Sequence, residues 1–275
     1  MKLDNILYED KDIIVCHKPA GIATQTAKVG SPDMVSGITG YLTRGQRTGN
    51  GQSKAKPYVG LIHRLDQPVE GILVFAKNKK AAAGLSTQLQ AGGLEKYYLA
   101  VVHLPDMLSQ GVSASQEDII SSKNIAERML TDYLYQDKST NTSYVTDQGK
   151  TNAKLARLSY QIIKKQTVSK LVTAKQVAEP QNMNIQPEEA ISIALLRIHL
   201  LTGRHHQIRV QLSNAGLCLL GDYKYADEET KVLSERLRQK QIALCAYKLA
   251  FLHPVTGKRL SFKIEPEGEI FRRNF

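Results

Sequence analysis

Three residues able to do chemistry crowd one short stretch: His63, Arg64 and Asp66 stand just ahead of the apolar run 71–76, within residues 62–77 (IHRLDQPVEGILVFAK). Charged groups pressed against a segment that must be buried are costly unless they are paired or used. A carboxylate there can serve as a general base or as a nucleophile. Two plainer readings need no chemistry: a surface turn, or an Arg–Asp ion pair holding a strand end. What separates these readings is whether other side chains converge on Asp66.

A second dense cluster lies at residues 202–212 (TGRHHQIRVQL), with Arg204, His205, His206 and Arg209. The adjacent histidines invite a metal reading, but no third ligand stands at a suitable spacing, so no metal site is assigned. A helix is expected to begin near residues 205–206, although Ile208, Val210 and Leu212 make no clean helical stripe. Lys18 sits in the loop Lys18-Pro19-Ala20-Gly21. Pro19 removes a backbone donor and Gly21 permits positive φ, so the loop is pre-set and could hold Lys18 at the mouth of a groove. An ordinary strand-ending turn would look the same.

The elements that must position these groups follow from pattern. Residues 13–17 read as a strand entering the core, and residues 34–42 as a short helix. Asn78 is the expected N-cap of a helix with Ala82, Leu85 and Leu89 on one face, stopped by Gly92-Gly93. In the strand 96–102, alternation puts Tyr98 and Ala100 on one face and Tyr97 and Leu99 on the other, where both tyrosines would suit a core. Residues 153–163 and 191–201 read as strands of a hairpin, and 228–239 as a solvated helix. The chain closes with a hairpin over 245–252 and 258–264. Helices interspersed with hairpins predict an α+β fold: one domain over 1–275, a mixed, largely antiparallel central sheet flanked by helices and loops, and insertions around 104–150 and 164–190.

Composition narrows the partner. A hydrophobic content of 42% suits a folded domain rather than a disordered chain. No apolar run approaches the roughly 20 residues of a membrane span, and the N-terminus has no signal-peptide core, which together predict a cytoplasmic protein. Cys16, Cys218 and Cys245 are odd in number and widely spaced, so they fit reduced thiols rather than disulfides or zinc. With 37 Lys+Arg against 26 Asp+Glu the chain carries +11, which favours a polyanion: RNA, DNA or a membrane surface. The tract 44–56 holds four positive charges and no acid, and reads as a mobile basic loop, for phosphates or merely solvated.

Taken in order, these blocks resemble the RluA-type RNA pseudouridine synthases over nearly the whole chain. The resemblance rests on the Lys-Pro-x-Gly loop at Lys18, the block His63-Arg64-Leu65-Asp66 with Gly71, and Lys96-Tyr97-Tyr98. It continues through Thr202-Gly203-Arg204 with His206-Gln207-Ile208-Arg209, Gly221-Asp222 with Tyr225, and the turn at His253-Pro254. It implies a pseudouridine-synthase-type catalytic domain that isomerises uridine within RNA, without cofactor, metal or energy source. By similarity Asp66 is the essential carboxylate and Arg209 the partner that keeps it ionised. Tyr98 is the ring that stacks on the target uracil, its hydroxyl a candidate for late proton transfer at C5. Arg64 would fill the space left by the flipped base or hold a phosphate, with Lys18, His63, Lys77 and Arg204 as further RNA-binding residues. The implied partner is rRNA or tRNA, with no membrane, no obligate protein partner and a monomeric state. The separate N-terminal S4 module of some relatives is expected to be missing.

One departure stands beside the catalytic block. Where that family usually has Thr-Ser-Gly, this chain has Val69-Glu70-Gly71 preceded by Pro68, so Glu70 is expected to repel RNA phosphate or to raise the Asp66 pKa. The rival reading is a catalytically silent RNA-binding or RNA-chaperone relative. Retention of Asp66, Tyr98 and Arg209 together argues against it.

Overall fold

Strands β2 (Ile13–Lys18) and β4 (Glu70–Ala76) are buried at every position, which requires cover on both faces of the sheet that contains them. The computed structural model describes residues 5–26, 30–45, 55–104, 127–168 and 191–275. Its other strands are β1 (Ile6–Glu9), β3 (Gly60–Leu61), β5 (Glu95–Leu104), β6 (Arg128–Asp137), β7 (Thr142–Thr146), β8 (Lys154–Val168), β9 (Ile191–Leu200), β10 (Leu244–Leu252) and β11 (Arg259–Lys263). Together they form one 11-stranded sheet of order β1-β2-β4-β10-β5-β9-β8-β6-β7, with β3 also on β4 and β11 also on β10. Every pairing is antiparallel except β4–β10. The architecture is the predicted α+β fold with a mixed, largely antiparallel sheet.

Alternation divides the core. Ile14, Cys16, Leu73, Phe75, Tyr98, Ala100 and Val102 face one side, where α1 (Met34–Gly45) adds Met34, Ile38 and Leu42. On the opposite side Ile13, Val15, Ile72 and Val74 pack against Ala81 and Leu85 of α2 (Lys79–Gln90), which Asn78 caps through the Ala81 N–H as expected. Further along that side, Val101, Ala243 and Cys245 meet Leu233 of α4 (Glu228–Arg236) and Ile270 and Phe271 of α5 (Glu269–Asn274). The short helix α3 (Gln207–Asn214) returns to the first side, with Ile208 and Leu212 in its core.

Two details fix the site's frame. Gly71 has φ +144°, and a Cβ there would stand 2.4 Å from the Ala246 Cβ, so only glycine lets β10 approach β4 this closely. His206 precedes α3 with φ +53°, a left-handed conformation uncommon for a residue with a side chain. The helix therefore starts at Gln207, just beyond the predicted position. Of the tracts read as insertions, 105–126 and 169–190 lie outside the described residues; the rest forms β6, β7 and parts of β8. Residues 46–54 of the basic tract also lie outside them. Among the described residues no helix is long and apolar enough to cross a membrane.

Candidate active site

Asp66 lies on the loop between β3 and β4, and that loop is held by the one at Lys18. The Thr24 hydroxyl donates to the Leu65 carbonyl at 2.9 Å and accepts from the Leu65 N–H at 3.1 Å. The Gly21 N–H donates to the Gln67 carbonyl at 2.9 Å. Lys18 completes the tie: its ammonium donates to the carbonyls of Pro19 (3.1 Å), Ile22 (2.7 Å) and Gln67 (3.1 Å). Lys18 is fully buried, and burial pushes its pKa down to about 8 against the pull of Asp66 and Glu70. With its three donors on backbone carbonyls it has none for a phosphate. The expectation of a groove-mouth lysine is corrected: Lys18 positions the Asp66 loop.

Arg209 on α3 reaches Asp66 with Nη1, 3.1 Å from Oδ2. Its Nε and Nη2 both donate to Asp222, each at 2.8 Å, a two-point pair that fixes the guanidinium plane. Burial alone would lower the Arg209 pKa, but the Asp222 hydrogen bonds and the charges of Asp222 and Asp66 raise it on balance. The Tyr225 ring lies 4.9 Å beneath the same guanidinium. His206 Nε2 stands 3.6 Å from Asp66 Oδ2, while its Nδ1 shares a 2.7 Å hydrogen bond with the Tyr225 hydroxyl. Burial takes the His206 pKa to about 4 despite the Asp66 charge, so the ring is neutral at pH 7. His205 stacks on it at 3.7 Å between centroids and bonds Ser143 Oγ through Nδ1 at 2.9 Å. One nitrogen of each histidine is thus taken by a hydroxyl.

These groups open on a cavity of about 970 Å3. Asp66 is the one carboxylate among the described residues that line it; Arg64, Lys96, Arg157, Arg204 and Arg209 supply positive charge and Tyr98 an aromatic face. Tyr98 is 5% exposed, and burial, reinforced by the charge of Asp66, raises its phenol well above the ordinary value. Arg64 is exposed and donates to Gln25 at 3.1 Å; Arg204 is exposed and donates to the Leu155 carbonyl at 2.9 Å. His63 also lines the cavity, and burial with the nearby Lys96 charge takes its pKa to about 3.

Two expectations change. Lys77 is not among the cavity's residues; it pairs with Glu9 at 2.5 Å and donates to the Asp10 carbonyl, which leaves it a structural ion pair. Glu70 follows the strand's alternation with Ile72 and Val74, away from the Asp66 side. Its carboxylate accepts from the Glu267 N–H (3.2 Å) and the Gly268 N–H (3.4 Å) at the start of α5. Burial raises its pKa, the two N–H groups offsetting part of the rise. It is an anchor for the C-terminal helix, directed away from the cavity and from Asp66.

Sequence reasoning passed over four contributors. Asp222, Tyr225 and His206 enter the sequence reading only as motif residues, His206 also in the metal reading, and Lys96 has no role there. The signal for the first three lies in pairing between segments, as with Arg209 and Asp222, which no local pattern carries. A further acidic group, Asp10, Asp12 and His253, could be taken for a metal site. Asp10 already accepts from Tyr8, Asp12, Ile13 and His253, so its oxygens are satisfied by the chain itself.

With this geometry in hand, comparison with known proteins agrees on one family. The RNA pseudouridylate synthase family matches residues 12–214. An "Uncharacterized RNA pseudouridine synthase" of Aquifex aeolicus is 29% identical over 98% of this chain and 71% of its own length. The "Ribosomal large subunit pseudouridine synthase D" of Zymomonas mobilis is 28% identical over 94% of this chain and 68% of its own. Among solved structures, "Human RNA Pseudouridylate Synthase Domain Containing 4" shares the fold with TM-score 0.61 and 22% identity, covering 96% of this chain and 89% of that one.

Proposed function

The chain belongs to the RNA pseudouridylate synthase family, and from that premise we propose that it isomerises uridines of ribosomal or transfer RNA with Asp66 as its essential carboxylate. The observation that carries this reading is a carboxylate, the one among the described lining residues, in a cationic cavity, held by an arginine that a second carboxylate locks. In the reaction the bond from ribose C1′ to N1 breaks, the uracil turns, and C1′ joins C5, which gives up its proton to solvent while N1 takes one up. An ionised carboxylate at the sugar serves this chemistry as nucleophile or as base. Arg209 orients Asp66 through a charge-assisted hydrogen bond of 3.1 Å. Tyr98 offers the ring on which the uracil lies, and its hydroxyl is our candidate for the late proton transfer at C5.

The target must leave its stack to reach Tyr98, at a cost of a few kcal/mol. Arg64, exposed and lining the cavity, is our candidate to fill the vacated space, and Arg204 to meet the backbone. Relatives named for the large ribosomal subunit make ribosomal RNA the first substrate to test. The three cysteines, buried and free, suit a reducing cytoplasm.

The test is release of tritium from C5-labelled uridine in bulk rRNA and tRNA. Wild type is expected to release it, and Asp66→Asn to bind RNA normally with no turnover. Absence of release from every RNA by wild type would leave the silent RNA-binding reading in place.

A further inference from the structure

Lys96 and His63 line the cavity, yet neither has a role in the chemistry above. Lys96 comes from β5, two residues before Tyr98 and on the same face of the strand. It is 8% exposed, and its ammonium forms no hydrogen bond or ion pair with any described residue. Across from it stands Gly203: a Cβ there would lie 3.5 Å from Lys96 Nζ, so the bare backbone leaves the ammonium open to the cavity. Burying a lysine in this way is expensive unless something pairs with it, and the lowered pKa of Lys96 has burial as its cause.

His63 adds a second donor without an acceptor. Its Nε2 accepts a long hydrogen bond, 3.4 Å, from the Val74 N–H, so the proton of the neutral ring sits on Nδ1. That Nδ1 is buried and has no partner. Among the described residues two donors at this wall thus have no acceptor, the Lys96 ammonium beside the cavity and the sealed Nδ1 of His63, whereas buried donors ordinarily have one.

Resting on the RNA reading above, we propose that Lys96 holds a phosphodiester oxygen of the target nucleotide inside the cavity. Position favours the phosphate over the base. Beyond Tyr98 along β5, Ala100 and Val102 belong to the core, so Lys96 stands on the opening side of the ring. A base lying on Tyr98 carries its backbone past Lys96.

The experiment compares full-length wild type with Lys96→Met and Lys96→Arg on C5-tritiated bulk rRNA and tRNA. Affinity is measured across a salt series, together with KM, kcat and Tm. Lys96→Met should weaken affinity and raise KM about tenfold, the effect of one charge-assisted hydrogen bond. It should lower the slope of log K against log salt by about one, as expected for one phosphate contact. Arginine should recover part of both, and Tm of the methionine variant should rise because an unpaired buried charge is gone. A fall in kcat with affinity and slope unchanged would overturn the phosphate role in favour of charge on the base. So would a lowered Tm with no recovery by arginine, which makes Lys96 structural. If wild type releases no tritium but Lys96→Met still lowers the salt slope, the phosphate contact stands and the enzyme reading fails.

Discussion

Arg209 binds Asp222 through two nitrogens at 2.8 Å and Asp66 through one at 3.1 Å. The asymmetry matches burial: the Asp222 side chain is 1% exposed and that of Asp66 26%. Asp222 neutralises the arginine within the core and sets its plane. Asp66 is held at one point and stays open to the cavity, which suits the catalytic role proposed for it.

Breaking the buried pair should therefore damage stability and turnover together. Arg209→Met strands Asp222, and Asp222→Asn weakens the lock on Arg209. Loss of one partner of a buried pair costs about 3–5 kcal/mol, so the urea midpoint of Arg209→Met should fall steeply. Asp222→Asn should lower kcat more than it raises KM, although Asp222 is absent from the cavity lining. An Asp222→Asn enzyme with unchanged kcat would refute the positioning role.

Lys18→Met leaves three backbone carbonyls without their donor. It should cost about 2–3 kcal/mol and lower kcat by displacing the Asp66 loop. The salt dependence of RNA binding should not change, because Lys18 meets no phosphate. A slope reduced by about one would restore the phosphate reading.

Glu70→Ala should cost about 1–3 kcal/mol through the unsatisfied N–H groups of Glu267 and Gly268. RNA affinity should be the same as wild type. Tighter binding by the alanine variant, read by filter retention, would mean that Glu70 repels RNA after all.

Acid should destabilise the fold through its neutral histidines. His63 and His206 are held by burial at about 3 and about 4, below the ordinary 6.5. As pH falls through 6.5 the unfolded chain takes up their protons first, so stability is present above that value and is lost from pH 6.5 down to about 4 for His206 and about 3 for His63. The loss reaches roughly 2 kcal/mol per histidine at pH 5. His206→Asn keeps a residue that tolerates the left-handed backbone and removes one titration. Its urea midpoint should shift less than that of wild type between pH 7.5 and pH 5, and an equal shift would count against a neutral His206.

How much was legible beforehand differs from element to element. The cap at Asn78, the alternation of Tyr98 and Ala100, and the closing hairpin are local patterns, and the structure shows them. The helix carrying Arg209 was poorly legible because it is buried on several sides. Gln207, Arg209 and Gln211 are all buried and hydrogen-bonded, so no polar stripe marks a solvent face.

The amino-acid sequence by itself determined the α+β fold and the blocks that carry Asp66, Tyr98 and Arg209, because side-chain periodicity and motif spacing are local properties. Only the tertiary structure decided what each charge does. Lys18 and Lys77 read as free cations, and Glu70 as a negative charge beside Asp66. The fold turned Lys18 onto carbonyls, Lys77 onto Glu9 and Glu70 onto a helix start, while it left Lys96 open to the cavity. The physical reason is that a charge acquires its role from burial and from partners far away in the chain, and both exist only after folding.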